Sequence, residues 1–477
     1  MLISAIYIKK SIFNLQFCRG ELNNDLCLSH YFNLHPYEHY SPFKSYICIR
    51  FTDLLSNYRK SLNHNDMKSY RIILKNSIII VFVLLFIASC KKEDQGKSYS
   101  YFISKQLSVE YNKAYITSLL DLESATIPQL ANLKPLVTSD ISVYKIIYKT
   151  TVNGNQINAS GLICVPKNAG AYPVVSFQNG TNTVDASCPS NSPLSPTYQM
   201  VQLIASMGYV VVIADYPGFG ESKQITHPYL ITEPTVRSLV DLLFAAKEMV
   251  APEFPGISLK NEYYLLGYSQ GGWATFALHK ALEQNYSSDF NLKGSSCGAG
   301  AYDIMKLLLV MVNKSTYPVP AYLADIVNAY TAYNQFTNPA TDIFNEPYAS
   351  KITNLFNGTL SLDQIDNQLT TSITGLLTPD FLSGFAASSK YSTIRDALDK
   401  NSISAWHTSI PILFVHGGND TQVDPSTTEN IYNAMLQAGT SADLIKKLIV
   451  PGVDHSDGAI PCMLQGILFL NNLRSTK

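Results

Sequence analysis

The residues best placed to do chemistry lie in Gly267-Tyr268-Ser269-Gln270-Gly271-Gly272. The aromatic and branched run that precedes them reads as a buried strand. Trp273, Phe276, Ala277, Leu278, Ala281 and Leu282 follow at helical spacing. Strand, glycine-crowded turn and helix around one serine form the Gly-x-Ser-x-Gly elbow, which exposes a nucleophile on a sharp turn. A serine hydroxyl is a weak attacker at neutral pH, so the rest of the chain has to supply a base, a carboxylate and oxyanion donors.

Five histidines follow residue 90. His279 sits too far along the elbow helix to reach Ser269. His227 and His407 read as packing or surface residues, and His416, in Val415-His416-Gly417-Gly418, as a brace for its turn. His455, in Pro451-Gly-Val-Asp454-His455-Ser-Asp457-Gly458, is expected between the last strand and a last helix over 460–473, at the sheet edge beside the elbow. It is the expected base. The carboxylate that fixes its tautomer is expected at Asp420, in His416-Gly-Gly-Asn-Asp420. Asp424 competes, but its place before Pro425 and Ser426 suits a helix start. The oxyanion calls for two N–H donors. One is expected from Gln270, the other from Thr181 in Gln178-Asn179-Gly180-Thr181.

The elements that must position these residues read as a mainly parallel α/β sheet. Two β-rich runs, 141–151 and 157–165, flank Asn153-Gly154-Asn155 and form an antiparallel opening hairpin. Apolar strands at 172–177, 209–215, 262–267, 292–301, 411–415 and 442–450 then alternate with helical patterns at 198–207, 235–250, 273–282, 426–437 and 460–473. That alternation covers a parallel sheet on both faces. Residues 98–135 read as irregularly helical. Residues 302–406 interrupt the alternation with helical patterns and are expected to form a cap or lid above the C-terminal ends of the strands, where open α/β sheets bind ligands.

With these pieces placed, residues 141–473 resemble an α/β-hydrolase of the secretory lipase family. The matching pieces are Gln178-Asn-Gly-Thr181, Asp215-Tyr-Pro-Gly-Phe-Gly-Glu-Ser222, Gly267-Tyr-Ser-Gln-Gly-Gly272, His416-Gly-Gly-Asn-Asp420 and Asp454-His455. The order Ser269, Asp420, His455 is that of α/β-hydrolases. Many relatives carry His-Gly where this chain has Asn179-Gly180. The resemblance implies hydrolysis of carboxylic esters through an acyl-enzyme, by a catalytic domain of residues 141–301 and 407–477, with no cofactor. A serine peptidase of prolyl-oligopeptidase type would share that domain, though no propeller-like repeat is visible. An esterase acting on acylated glycans is a third reading. A non-catalytic surface binding lipoprotein is a fourth, which the assembled triad argues against.

Composition sets the outer bounds. The 477 residues are 46% hydrophobic and 15% charged, with formal net charge −1. That is globular, and the absence of a basic run argues against nucleic acid as a partner. Residues 1–66 hold one glycine but four of the nine histidines and three of the eight cysteines. They read as a non-native extension, with translation expected to start at Met67. From there a basic start and an apolar run, 78–87, lead to Ala88-Ser89-Cys90, a secretory signal too short to be a confident span. Ile87-Ala88-Ser89-Cys90 resembles a bacterial lipobox, which implies a lipid on Cys90, membrane attachment in the cell envelope and a tether from residue 91. Export permits disulfides, and a Cys188–Cys462 bridge is one expectation. No pair of cysteines has metal-ligand spacing.

Overall fold

The computed structural model describes residues 15–19, 26–30, 46–47 and 99–475. The chain divides into two units, Met1–Lys97 and Ser98–Lys477. In the first, three short strands pair antiparallel: β1 (Leu15–Arg19), β2 (Leu26–His30) and β3 (Tyr46–Ile47). Apart from these strands, the expectations for residues 1–66, for the signal at 67–90, for Cys90 and for the start of the tether lie outside the described residues.

The second unit is built on a nine-stranded sheet. Its strands are β4 (Phe102–Tyr111), β5 (Ile141–Val152), β6 (Asn155–Pro166), β7 (Gly170–Gln178), β8 (Val210–Ala214), β9 (Ile257–Tyr268), β10 (Leu292–Gly298), β11 (Ile412–Gly417) and β12 (Ile445–Val450). Their spatial order is β12-β11-β10-β9-β7-β8-β6-β5-β4. From β12 to β8 every pairing is parallel; β6, β5 and β4 add antiparallel pairings at one side. Asn153 and Gly154 form the two-residue turn between β5 and β6, both at positive φ (50° and 75°), as the right-handed twist of a hairpin requires.

The apolar strands are continuous because both faces are covered. In β8, Val210, Val212 and Ala214 join the core that holds Leu239, Leu243, Trp273 and Phe276, from the helices Thr232–Glu253 and Gln270–Asn285. Val211 and Ile213 face a second core with Ile116, Leu120, Leu464 and Leu470. Each buried valine, leucine, isoleucine or phenylalanine among these contributes roughly 1.5–3 kcal/mol.

The reading of residues 98–135 as helical needs correction. Residues Phe102–Tyr111 form edge strand β4, paired to β5, before the helix Lys113–Ser124, which Asn112 caps through Tyr115 N–H. Ile103 and Leu107 of β4 are exposed, so no one-faced alternation marks the strand, and main-chain pairing decides it.

Between β10 and β11 the chain is helical. Ile304–Met311, Pro320–Ala332 and Ser392–Asn401 are the longer helices, with short helical turns between them. This segment is fastened to the sheet unit at several points. Asn401 accepts from Thr232 N–H (3.0 Å) and, through its carbonyl, from Trp273 Nε1–H (3.2 Å). Tyr330 and Tyr333 donate to the carbonyls of Leu230 and Thr226.

Candidate active site

Strand β9 runs into Ser269, whose φ of 58° and ψ of −123° leave the ordinary basins of a side-chain-bearing residue. Such a conformation costs about 1–3 kcal/mol and persists only where its surroundings over-determine it. Here they do. Ser269 N–H donates to Gly298 O (2.9 Å), and Ser269 O accepts the Trp273 N–H. A Cβ on Gly271 would stand 1.9 Å from Gln178 O, and one on Gly272 would stand 2.0 Å from Gly298 O. Glycine at these two positions lets the helix start press against the ends of β7 and β10.

The last helix, His455–Ser475, starts at His455 itself, five residues before the expected 460. Pro461 suits a first helical turn, but Asp454 caps the chain earlier: Asp457 N–H donates to Asp454 Oδ1 (2.8 Å) and Gly458 N–H to Asp454 O (3.0 Å). Tyr268 OH donates to the carbonyl of His455 (2.6 Å), tying the residue before Ser269 to the backbone of the histidine.

His455 Nε2 lies 2.9 Å from Ser269 Oγ, and its Nδ1 lies 2.6 Å from Asp420 Oδ2. An ionised carboxylate only accepts, so Nδ1 carries the proton and Nε2 keeps a lone pair facing the serine hydroxyl. Asp420 Oδ1 accepts the N–H groups of Gln422 and Val423 (2.9 and 2.8 Å). Burial opposes ionisation of Asp420, but hydrogen bonds from His416 and His455, the His455 charge and the Val423 N–H outweigh it and pull its pKa down to about 2. Asp424 accepts from Ser426 N–H (3.1 Å) and pairs with Lys314, so it sits at a helix start, away from His455.

His416 does more than brace a turn. Its Nε2 approaches Asp420 Oδ2 (3.1 Å) and Val423 O (2.9 Å), while Nδ1 faces Thr428 Oγ1 (2.8 Å). Both Nε2 partners are acceptors, so Nε2 carries a shared proton. The side chain is fully buried.

On the other side of Ser269, Gln270 heads the helix, and the first N–H groups of a helix have no intrahelical acceptor. Gly180 packs against the elbow: a Cβ there would come 3.8 Å from Ser269 Cβ. Thr181 follows, its Oγ1 3.1 Å from Tyr229 OH. The loop beyond is stitched to the helical segment, with Thr183 Oγ1 donating to Leu360 O (2.7 Å) and Asp185 N–H to Gly358 O (2.8 Å).

His227, which the sequence marked only as a packing or surface residue, is buried and bonded to the residue after the serine. Its Nδ1 donates to Pro217 O (2.9 Å), leaving Nε2 to accept from the Gln270 side-chain amide (2.8 Å). Burial pushes its pKa down to about 4, despite the hydrogen bond that Nδ1 donates to Pro217 O, and so keeps the ring neutral. Its place in the loop after β8, at the same sheet edge as Gln270, was the available signal.

Ser269 and Gln270 open on an apolar cavity of about 50 Å³ lined by Leu307, Leu308, Met311, Leu323 and Ile326, with Tyr229 and Tyr322. The expected Cys188–Cys462 bridge is absent: Cys164, Cys188, Cys297 and Cys462 are buried free thiols. Cys188 and Cys462 belong to different cores, and burial raises both thiol pKa values, that of Cys462 to about 12. Among the described residues no cluster of three or more His, Cys, Asp or Glu could hold a metal ion. The arrangement can remove a proton from Ser269 and stabilise the imidazolium that results.

Residues 195–456 match the profile of the family described as secretory lipase. The match spans Ser269, Asp420 and His455 and begins after Thr181. No curated protein sequence matches the chain. Among solved structures, a Legionella pneumophila protein described as a hydrolase superposes with a TM-score of 0.70 at 24% identity, over 78% of this chain and 98% of its own. The rice cell wall degrading esterase LipA of Xanthomonas oryzae gives 0.66 at 24% identity, over 78% and 97%. Candida antarctica lipase A in its closed state gives 0.57 at 15% identity, over 79% and 82%. At these identities the structural likeness concerns the fold.

Proposed function

Because the chain belongs to the secretory lipase family and is a carboxylic ester hydrolase, we propose that it works through an acyl-enzyme on Ser269, with His455 as base and Asp420 as its partner. The observation that carries this reading is the unbroken line from Asp420 Oδ2 through His455 to Ser269 Oγ, with spacings of 2.6 and 2.9 Å, at the floor of an apolar cavity. Ser269 Oγ bonds to the ester carbonyl carbon as its proton passes to His455 Nε2. The carbonyl oxygen takes the negative charge and meets the N–H groups of Gln270 and Thr181. Collapse breaks the bond to the alcohol oxygen, which leaves with the proton held on Nε2. Water, deprotonated by the same nitrogen, then releases the acid. Asp420 stays ionised throughout and stabilises the imidazolium.

The acyl group is assigned to the cavity formed by Leu307, Leu308, Met311, Leu323 and Ile326, so residues 302–406 act as a cap that shapes acyl preference. The test is a panel of p-nitrophenyl esters from acetate to palmitate beside aminoacyl anilides, with wild type and Ser269→Ala. Ester hydrolysis by wild type should fall at least about 10⁴-fold in Ser269→Ala. Activity surviving that change would overturn the mechanism, and amide cleavage without ester cleavage would overturn the substrate class.

For location, we propose a lipid on Cys90 that holds the enzyme on an envelope membrane. Its support is the sequence Ile87-Ala88-Ser89-Cys90 behind an apolar run. Labelled fatty acid fed to cells making the full chain should enter the protein and not Cys90→Ser; equal labelling of both would sink the assignment.

A further inference from the structure

The helix Pro320–Ala332 has two working faces. Tyr322, Leu323 and Ile326 turn to the apolar cavity at Ser269, whereas Asp325 and Asn328 line a separate polar cleft of about 620 Å³. The cleft's other walls come from residues 182–186 beyond Thr181, from residues 223–227 and from residues 356–359. Of these residues His227 bonds to the side chain of Gln270, which lines the apolar cavity.

Asp325 is the anomaly. It is only 3% exposed and lines a water-accessible cleft, yet nothing cationic bears on it; Asn328, one helical turn on, is its polar neighbour. Buried carboxylates are ordinarily paired, because leaving water costs several kcal/mol, on the order of what a paired cation returns. The titratable groups that share the cleft do not meet this need. Asp185 is acidic and already accepts the Gly220 N–H, Lys223 is exposed, and both nitrogens of His227 are committed. Tyr229, on the cavity side, has its pKa raised chiefly by burial, and the Asp325 charge only adds repulsion to that rise. A metal ion would need several oxygen ligands, and no such cluster exists among the described residues. A neutral hydroxyl would give the carboxyl no reason to ionise. Phe219 and Phe356 also line the cleft, and ring faces attract cations.

We propose that this cleft is an ammonium-binding site in which the Asp325 carboxylate, with Asn328 beside it, receives a protonated amine or quaternary ammonium group. That group can belong to a free small amine or to the polar part of an ester substrate. Burial pushes the empty carboxyl up to about 8, so at pH 7 it holds a proton that a bound cation displaces.

Calorimetric titration of the full chain with ethylammonium chloride at pH 7 and fixed ionic strength tests the site without any catalytic step. Ethylammonium should bind and release close to one proton, seen as a heat that scales with buffer ionisation enthalpy; ethanol should bind at least tenfold more weakly. Asp325→Asn should weaken ethylammonium at least tenfold and abolish proton release, and Asn328→Ala should weaken it several-fold with the fold checked by circular dichroism. Equal binding of ethanol, or an unchanged Kd in folded Asp325→Asn, overturns the proposal. A second arm assigns the source and rests on the ester-hydrolase reading. If the cation belongs to the substrate, wild type prefers butyrylcholine to its neutral isostere 3,3-dimethylbutyl butyrate at least tenfold in kcat/KM. If ethylammonium binds while the two esters are cleaved alike, the ligand is a free amine; if neither ester is cleaved, the hydrolase reading fails and the calorimetric result stands.

Discussion

His416 Nε2 and His455 Nδ1 converge on one atom, Asp420 Oδ2, at 3.1 and 2.6 Å. The second imidazole withdraws charge from the carboxylate that faces the first. Replacing His416 with Phe removes one of the hydrogen bonds that hold the Asp420 carboxyl low, which leaves Asp420 more basic. The acid limb of kcat/KM should move to higher pH, and kcat should fall about tenfold with KM little changed. His416→Gln, which keeps a donor, should recover part of the loss. A pH–rate profile that does not move in His416→Phe would leave His416 a purely structural residue.

The two aspartates of the β11 loop are separable by one experiment. Asp424 serves Ser426 N–H and Lys314, whereas Asp420 holds His455. Asp420→Asn should lower kcat by at least about 100-fold by favouring the wrong tautomer, and Asp424→Asn by less than about threefold. The reverse ranking would reassign the carboxylate.

Tyr268→Phe removes one hydroxyl, the donor to His455 O. The loss should be about 1 kcal/mol of stability, a typical net value for one such bond. Because the same bond holds His455 in register with Ser269, kcat should drop several-fold at constant KM. Urea denaturation and ester kinetics on the same preparation separate the two effects.

Buried carboxyls of two kinds give stability opposite pH signatures. Asp325, pushed up to about 8, and Asp241, pushed up to about 6, both by burial, keep their protons in the folded state where the unfolded chain, near 3.9, gives them up. Their contribution is complete below about pH 4 and is lost as pH rises through these folded values. Asp420, pulled down to about 2, contributes above about pH 4 and loses that contribution as pH falls toward 2. Thermal unfolding from pH 3 to 9 should show Asp325→Asn gaining roughly several degrees on wild type at pH 8.5 and little at pH 4. An equal gain at both ends would contradict the assignment for Asp325.

Steep glycine to Ala losses are expected at the elbow. At Gly271 the added methyl would meet Gln178 O at 1.9 Å, main chain that cannot step aside. Gly271→Ala should cost at least about 3 kcal/mol, or prevent folding. A soluble, fully active Gly271→Ala protein would show that the helix start is not pressed onto β7.

What was legible in the chain is what local pattern encodes. The elbow, the Asn153-Gly154 hairpin and the apolar strands each carry their cause within a dozen residues. So does the loop position of Asp420, which follows from the strand that ends beside it; His455 comes just after β12 but is the first residue of the last helix. Edge strand β4 is not legible because Ile103 and Leu107 face water, and only its ends, Phe102 and Tyr111, are buried in the cores. The start of the last helix lies ahead of its helical pattern because Asp454 caps it from outside that pattern. His227 and Asp325 were invisible for a different reason. Gln270 stands 43 residues from His227, and the cleft around Asp325 is assembled from four separate stretches of chain. No spacing rule reaches that far.

The bonds from Thr183 and Asp185 to Leu360 and Gly358 bear on how this scaffold can be recombined. Residues 182–185 and 358–360 form one joint made of two pieces of chain, one in the loop that follows Thr181 and one in the helical segment. A chimera that imports a foreign segment at 302–406 breaks that joint and unseats the loop, losing turnover along with the old selectivity. Transplanting residues 181–185 in the same exchange keeps the joint whole, so on the proposed reading of the cap the unit to be exchanged is discontinuous.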